Sequence, residues 1–449
     1  MAGGTFTGRK KLPGTYVNTY AGKTSNLGVG LSGVVLLPLI GYDYGPAGEF
    51  IEIDAAEPDS NKAKLGRSIY DTNNHMLMIR EALKGCGKVI VYIPVAGTAA
   101  TKTIGGATVT ANYGGTLGNS IKVAIVANAA LGEGYFNAQV YFGTALVEEF
   151  TGVQTIGDLA AVASDYVKFT GTAATALTAA AATALENGAD GAVTTQAFAT
   201  FLDNSESLGW NVLAFPYSST TYAAHCAAIV SKIKYFRDEV GKDVYAVLSG
   251  VDADYQGVFN IVNGVYLNDG THVTAELAAA FIAGICAGAS WTESNTFHVY
   301  PDAKTVDTPM THDQAVLAVN HGRMYFSYDN SWQVVLEYDI NSLTTIASNA
   351  DESYKKGRVN RVLDHFRDLL RATFAPNKFN NDETGWNIME GMGKSILKGL
   401  LAEGAIHDVD FDTDFKVNRS LSKGDETYFE VGIAPTDSAE KLYFTVTTR

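Results

Sequence analysis

Cysteine is scarce: Cys86, Cys226 and Cys286 lie far apart in a chain of 449 residues. That spacing offers no CxxC metal site, and an odd, dispersed set offers no disulfide framework, which fits synthesis in a reducing compartment. Basic residues are outnumbered, 33 Lys and Arg against 48 Asp and Glu, for a formal net charge of −15. Wrapping nucleic acid relies on clustered cations that neutralise phosphate, so no nucleic-acid partner is expected. Long apolar runs are missing. The longest, Leu277 to Ala289, has thirteen residues, short of the roughly 20 that cross a bilayer. It reads as a buried Ala-rich helix, and Met1 to Lys11 lacks the apolar core of a secretory signal. Membrane insertion is not expected.

Chemistry-bearing motifs are equally thin. Gly28-Val29-Gly30-Leu31-Ser32-Gly33 matches GxGxxG, but a polar segment precedes it and a strand follows, whereas a dinucleotide loop follows a strand and opens a helix. It reads as a hinge. Gly393-Lys394-Ser395 lacks the first glycine of a phosphate loop, since Ile388 stands there; a Gly-rich helix start carrying Ile396, Leu397 and Leu400 is expected. Asp408 to Asp412 opens like a calcium loop, yet Thr413 replaces the required Gly and Arg419 the bidentate Glu. The eight histidines form no HExxH pair, and no Ser sits in GxSxG. His272, His298 and His321 converging on Asp252 or Asp254 is the one hidden triad left open. No catalytic residue, cofactor or metal is therefore expected.

What the chain does contain is 45 glycines and 23 tyrosines, which suit many turns and strands. Gly33 to Leu37 reads as a buried strand. A Met76, Ile79, Leu83 stripe predicts a helix ending at Gly85, before a strand from Val89 to Ile93. From Gly97 to Thr200 only ten of 104 residues are charged. This shift marks an inserted domain, with strands at Ile121–Val126 and Ala138–Phe142 favouring a β-sandwich, and Thr170 to Ala192 linking back. Strand 211–215, a helix bearing Tyr222, Cys226, Ile229, Ile233 and Phe236, a stop at Gly241 and strand 244–248 form a βαβ pattern with a parallel sheet. Val334 to Tyr338 reads as a strand, and an amphipathic helix from about Asp351 to Thr373 is stopped by Pro376.

The ends are β-prone. Thr15-Tyr16-Val17-Asn18-Thr19-Tyr20 has nothing apolar of its own to pack on, and Lys441-Leu442-Tyr443-Phe444-Thr445-Val446-Thr447 is a strong strand signal. Unpaired strands of this kind invite a partner. Period two along Asp408 to Phe415 puts Asp408, Asp410, Asp412 and Asp414 on one strand face. That face either meets Arg9-Lys10-Lys11 of a neighbouring copy or is solvated. The expected hinges are Gly22–Gly30 and Val431–Ser438.

Pro13 to Asn18, Gly114 to Asn119, Phe259 to Val265, Asp339 to Thr345 and further blocks, in order along nearly the whole chain, resemble contractile phage tail sheath proteins, particularly those of defective prophages and tail-like bacteriocins. Pro13-Gly14-Thr15-Tyr16-Val17-Asn18 is similar to the family's PGxYxN, and Tyr44-Gly45-Pro46 with Leu65-Gly66 to its N-terminal core. Gly114 to Asn119 is similar to its GT.GN element, with Gly115 where Pro is frequent. Phe259 to Val265, Ala283 to Ala289 with Ser294-Asn295-Thr296, Asp339-Ile340-Asn341-Ser342-Leu343-Thr344-Thr345 (the family's DINTLTT) and Arg358 to Asp364 complete the resemblance.

The resemblance implies a multidomain α/β fold: an inner α/β region of subtilisin-like topology without its triad, an inserted β-sandwich, an α+β tube-facing C-terminal domain and extended terminal arms. The expected boundaries are 1–25, 26–96, 97–192, 193–345, 346–440 and 441–449. It further implies a bacterial structural subunit, in a virion tail or tail-like particle, that forms hexameric rings with itself around a tail tube. Baseplate and tail terminator proteins are its further implied partners. The arms, near Thr15 to Tyr20 and Leu442 to Thr447, would add strands to a neighbour's sheet. A surface-layer or tube subunit, or a cryptic hydrolase, are the other readings.

Overall fold

The computed structural model describes residues 32–348 and 351–448. Strand β1 (Val34–Pro38) is buried along nearly its whole length, as Val-Val-Leu-Leu suits a strand covered on both faces. After β2 (Phe50–Asp54) and the one-turn helix α1 (Lys62–Leu65), α2 (Asn74–Leu83) opens on Asn73, whose side chain accepts from His75 N at 2.8 Å. Strand β3 (Lys88–Tyr92) then pairs parallel with β1 and antiparallel with β2.

The low-charge region is all β up to residue 190 apart from short turns and one short helix. Its strands are β4 (Ala99–Ile104), β5 (Ala107–Gly114), β6 (Ile121–Ala127), β7 (Phe136–Phe142), β8 (Ala145–Val153), β9 (Val167–Thr170) and β10 (Ala180–Ala184), with α3 (Ile156–Ala160) between β8 and β9. They form two sheets, β4-β5-β9 and β10-β6-β7-β8, whose inward Val109, Val123 and Val140 are fully buried. The expected linker 170–192 is corrected here: β10 lies within it and pairs antiparallel with β6. Four of its five residues, Ala180, Ala181, Ala182 and Ala184, have side chains too small to signal a strand, yet the backbone ladder forms.

Beyond α4 (Thr195–Asn204), strand β11 (Val212–Ala214), helix α5 (Ala223–Lys234), β12 (Tyr245–Ser249) and β13 (Val258–Ile261) finish a six-stranded sheet of order β13-β12-β11-β1-β3-β2, parallel except at β2. Helix α5 runs into a π-turn, Tyr235–Val240, that Gly241 ends at φ 76°.

Strands β14 (Val265–Leu267), β15 (His272–Val273), β16 (His298–Val299), β17 (Ala303–Val306), β18 (Phe326–Tyr328) and β19 (Val334–Leu336) make two small sheets, interleaved with α6 (Ala275–Gly288) and α7 (His312–Asn320). The Ala-rich α6 is buried from Leu277 to Cys286. It crosses α2 at backbone distance: a Cβ on Gly284 would stand 2.2 Å from the Ala82 carbonyl oxygen, and one on Gly85 2.3 Å from Ile285 N.

Helix α8 (Gly357–Thr373) follows a 3₁₀ turn, Glu352–Lys355, and α9 (Glu383–Ala402) is capped by Asp382. Gly393-Lys394-Ser395 therefore lies in mid-helix, not at a helix start, and its backbone N–H groups serve the helix ladder. Strands β20 (Ile406–His407) and β23 (Ala434–Pro435) pair, as do β21 (Phe415–Val417) and β22 (Phe429–Val431). Val362, Phe366, Leu397, Leu400, Ile406 and Phe415 form a core separate from that of the large sheet. The whole is a multidomain α/β protein with several sheets and a C-terminal domain. Among the described residues no helix is long and apolar enough to cross a membrane.

Candidate assembly surfaces

Leu442, Tyr443, Phe444 and Val446 are 66, 90, 83 and 85% exposed, and Thr445 is exposed with them. Four large apolar side chains within five residues, bare to water, are the most concentrated exposed apolar run of the described residues. The expected strand is absent within this chain: residues 442–448 carry no ladder. Thr15, Tyr16, Val17, Asn18, the basic run Arg9-Lys10-Lys11 and the Gly22–Gly30 hinge lie outside the described residues.

The second expected hinge is corrected. Val431–Ser438 is tied down: β23 pairs with β20, Thr436 N donates to Ala405 O at 2.9 Å, and Arg358 Nη1 donates to Ser438 Oγ at 2.8 Å. The chain stays anchored through Glu440, whose carboxylate accepts from Ser294 Oγ at 2.9 Å and meets the Lys356 ammonium. Both Lys356 and Glu440 side chains are 9% exposed.

The β21–β22 pair is a two-stranded sheet, and such a sheet is marginal unless it packs on or pairs with something else. Its inward hydrogen bonds run between Gly432 and Asp414 and between Asn418 and Tyr428. The alternation of an antiparallel ladder then turns the N–H groups of Phe415, Val417, Phe429 and Val431 outward. On the β21 side, Val417 N donates to Glu390 Oε1 of α9 at 2.9 Å, and Arg419 holds that carboxylate at 2.8 Å. Among the described residues the β22 edge shows no such guard. Beneath the pair, Phe415 lies on α9 where Gly393 leaves room, a Cβ there coming within 2.2 Å of the ring.

Asp408, Asp410, Asp412 and Asp414 do not share a strand face. Residues 411–413 form a turn in which Asp414 N donates to Asp410 O at 2.8 Å, Asp412 N to Asp410 Oδ1 at 2.9 Å and Asp410 N to Asp414 Oδ2 at 2.6 Å. Aspartates capture nearby backbone N–H groups, and that local bonding wins over period two. The bond from Asp412 N, followed by one from the Thr413 side chain, holds the Asp410 carboxyl below its ordinary range.

The hidden triad does not assemble. His272 Nε2 lies 3.1 Å from Asp307 and stacks on Tyr266, Asp252 is taken by Arg323 and Asn260, and Asp254 accepts from Thr344 and Thr345. Among the described residues no group of three His, Cys, Asp or Glu could hold a metal. Open α/β sheets bind ligands beyond the C-terminal strand ends where the strand order switches, here at β1. That place is plugged: Tyr217 OH donates to Pro38 O at 2.9 Å and accepts from Ile40 N at 2.8 Å, while His75 Nε2 lies 2.8 Å from Ile40 O with Tyr42 against its ring.

The comparisons with known proteins divide the chain as the fold does. Residues 95–190 match the phage tail sheath protein beta-sandwich domain, 191–342 the central domain and 349–449 the C-terminal domain. Phage-like element PBSX protein XkdK of Bacillus subtilis (strain 168) is 32% identical over 475 residues, 99% of each chain. The chain belongs to the phage tail sheath protein family. Solved sheath tail proteins share its fold over almost its full length. That of Desulfitobacterium hafniense is 35% identical with a TM-score of 0.83, covering 96% of this chain and 99% of that one. That of Listeria innocua is 32% identical at 0.75, covering 94% and 96%. The helical sheath of the anti-feeding prophage in its contracted state, 12% identical, shows the same fold at 0.55 over 98% and 100%. Within this sheath protein, sequence reasoning missed Glu390, Lys356 and Glu440: single charged residues carry no motif, and only the fold brings their partners to them.

Proposed function

We propose that the chain is a non-enzymatic structural subunit that stacks in hexameric rings around a tail tube and shortens to drive the tube through a cell envelope. The observation that carries this reading is the bare apolar run Leu442 to Val446 beside a two-stranded sheet whose β22 edge is open among the described residues: one copy supplies a segment, another has an edge to receive it. The N-terminal arm around Thr15 to Asn18 supplies the second link. Tail tube, baseplate and tail terminator proteins are the further partners. The C-terminal domain faces the tube, the β-sandwich lies outside, and the inner sheet has the subtilisin-like topology that the resemblance implies. The exposed Asp408–Asp414 turn remains the site proposed to receive Arg9-Lys10-Lys11 of a neighbour.

Without nucleotide chemistry, the energy of shortening resides in the assembly. Even about 2 kcal/mol per subunit favouring the contracted state is decisive when summed over cooperating copies. Strand ladders preserve connectivity while packed faces slide and rotate. Electron microscopy of the purified chain tests the reading: striated hollow cylinders of two lengths are expected. A single flat lattice, or a monomer at high concentration, would overturn it.

A further inference from the structure

The exposed segment does not leave the body as a frayed tail. Every residue from 441 to 448 is exposed, yet one position earlier Glu440 is bound on both carboxylate oxygens, one by Ser294 Oγ and the other by Lys356. Asp437 stands 3.8 Å from the same ammonium, which lies 4.1 Å from the centroid of the Tyr338 ring. Three separate stretches meet here. Ser294 follows α6, Lys356 precedes α8 and bridges Ile340 through its backbone, and Asp437–Glu440 is the run into the arm. Next to them Gly357 N donates to Asp339 O at 3.0 Å, and Arg361 Nη2 donates to Asp339 Oδ2 at 2.7 Å.

An ion pair this buried repays its desolvation poorly as a source of stability; its best-attested use is to specify one arrangement among several. Here the arrangement specified is the exit of the arm. We propose that Lys356, Glu440 and Ser294 are the positioning residues of the C-terminal arm, fixing where and in what direction residues 442–448 leave the body. The exit is seated on the junction between the central region and α8, so a pull on the arm reaches that junction before the apolar core of the C-terminal domain. The consequence for assembly rests on the strand-donation reading; the geometry does not. In a polymer, a fixed exit gives a fixed spacing between subunits, and a loosened one gives a scattered spacing.

The test uses the full-length chain carrying Lys356→Met, which keeps the aliphatic stem over Tyr338 and removes the charge, or Glu440→Gln, which keeps an acceptor for Ser294. Amide hydrogen exchange of residues 436–441 is expected to accelerate at least about tenfold, with α8 and α9 unchanged. Polymers should still form but with scattered axial rise by electron microscopy, and Lys356→Arg should restore both readouts. Unchanged exchange, or faster exchange with an unscattered rise, overturns the proposal. If Lys356→Met loses its circular dichroism signal, Glu440→Gln carries the same two readouts. Failure of strand donation shows itself separately, as polymerisation by a chain ending at Lys441, and leaves the exchange measurement able to decide the clip.

Discussion

Arg237 and Asp364 form a bidentate ion pair at 3.0 and 2.9 Å, with side chains 2% and 10% exposed, tying the π-turn after α5 to the middle of α8. Tyr245 OH also donates to this carboxylate, and nearby Arg367 and Arg371 reach Asp243 at 2.8 and 2.7 Å. Asp364→Asn leaves a buried guanidinium uncompensated and should cost about 3–5 kcal/mol, read from denaturant midpoints. A cost under about 1 kcal/mol would mean the pair is not buried in solution.

Helices α2 and α6 touch at glycines. Gly284→Val puts a branched side chain where the Ala82 carbonyl stands 2.2 Å from the Cβ position. The helices must separate, and overpacking of this kind costs about 1–3 kcal/mol or more. Thermal melts should show it as a lower midpoint; a midpoint equal to the parent's would contradict the close crossing.

Four histidines, at 75, 225, 298 and 365, are each pushed below the ordinary histidine value, with burial the leading cause. Between their folded-state values and the unfolded value of about 6.5, the unfolded chain binds more protons, so stability falls as pH drops through that window. Denaturant midpoints should decline from pH 7 toward pH 5. His75→Gln should flatten part of that slope, because Gln can donate to Ile40 O without taking up a proton. A parent profile flat over this range would refute the argument.

The open edge gives a backbone test. Val431→Pro removes an outward N–H from β22 and leaves the inward Gly432–Asp414 bond in place, as proline is tolerated on sheet edges. The expected outcome is a folded monomer, unchanged in circular dichroism, whose polymerisation by light scattering falls by at least about tenfold, the loss expected when a docked strand forfeits a ladder bond. Normal polymerisation would move the docking edge elsewhere.

Removing Leu442 to Arg449 should leave the α/β body with its parent melting midpoint and abolish polymers, since none of residues 442–448 is buried. Sedimentation separates the outcomes, and polymers at parental yield would refute the arm.

The strongest sequence signals were those with one physical cause. Val34 to Leu37 and Lys88 to Tyr92 are strands because continuous β-branched and leucine runs fit a strand buried on both faces, and α6 was legible as an apolar stretch too short for a membrane. Where signals competed, pattern lost. Asp408 to Asp414 alternates like a strand, but aspartate oxygens captured the local amides. Ala180 to Ala184 carried no strand signal and still paired with β6. The anchoring of Glu440 was invisible because Ser294 and Lys356 are 146 and 84 residues away in sequence.

The β-sandwich enters and leaves the rest of the molecule through one narrow neck, where Thr98 N donates to Ala189 O at 2.7 Å and Ala189 N to Thr98 O at 3.2 Å. Ninety residues lie between Thr98 and Ala189, and the sandwich also packs on the N-terminal part of the core, where Leu117 N donates to Asp43 O at 3.1 Å and the Phe142 ring meets Tyr44. Lengthening or replacing the material between Thr98 and Ala189 changes the closure entropy by little, roughly 0.6 kcal/mol per doubling of its length. The neck is a splice point. On the proposed arrangement, with the sandwich outside and six subunits to a ring, foreign loops or whole modules grafted there would decorate the exterior at six-fold multiplicity while the large sheet keeps its own register.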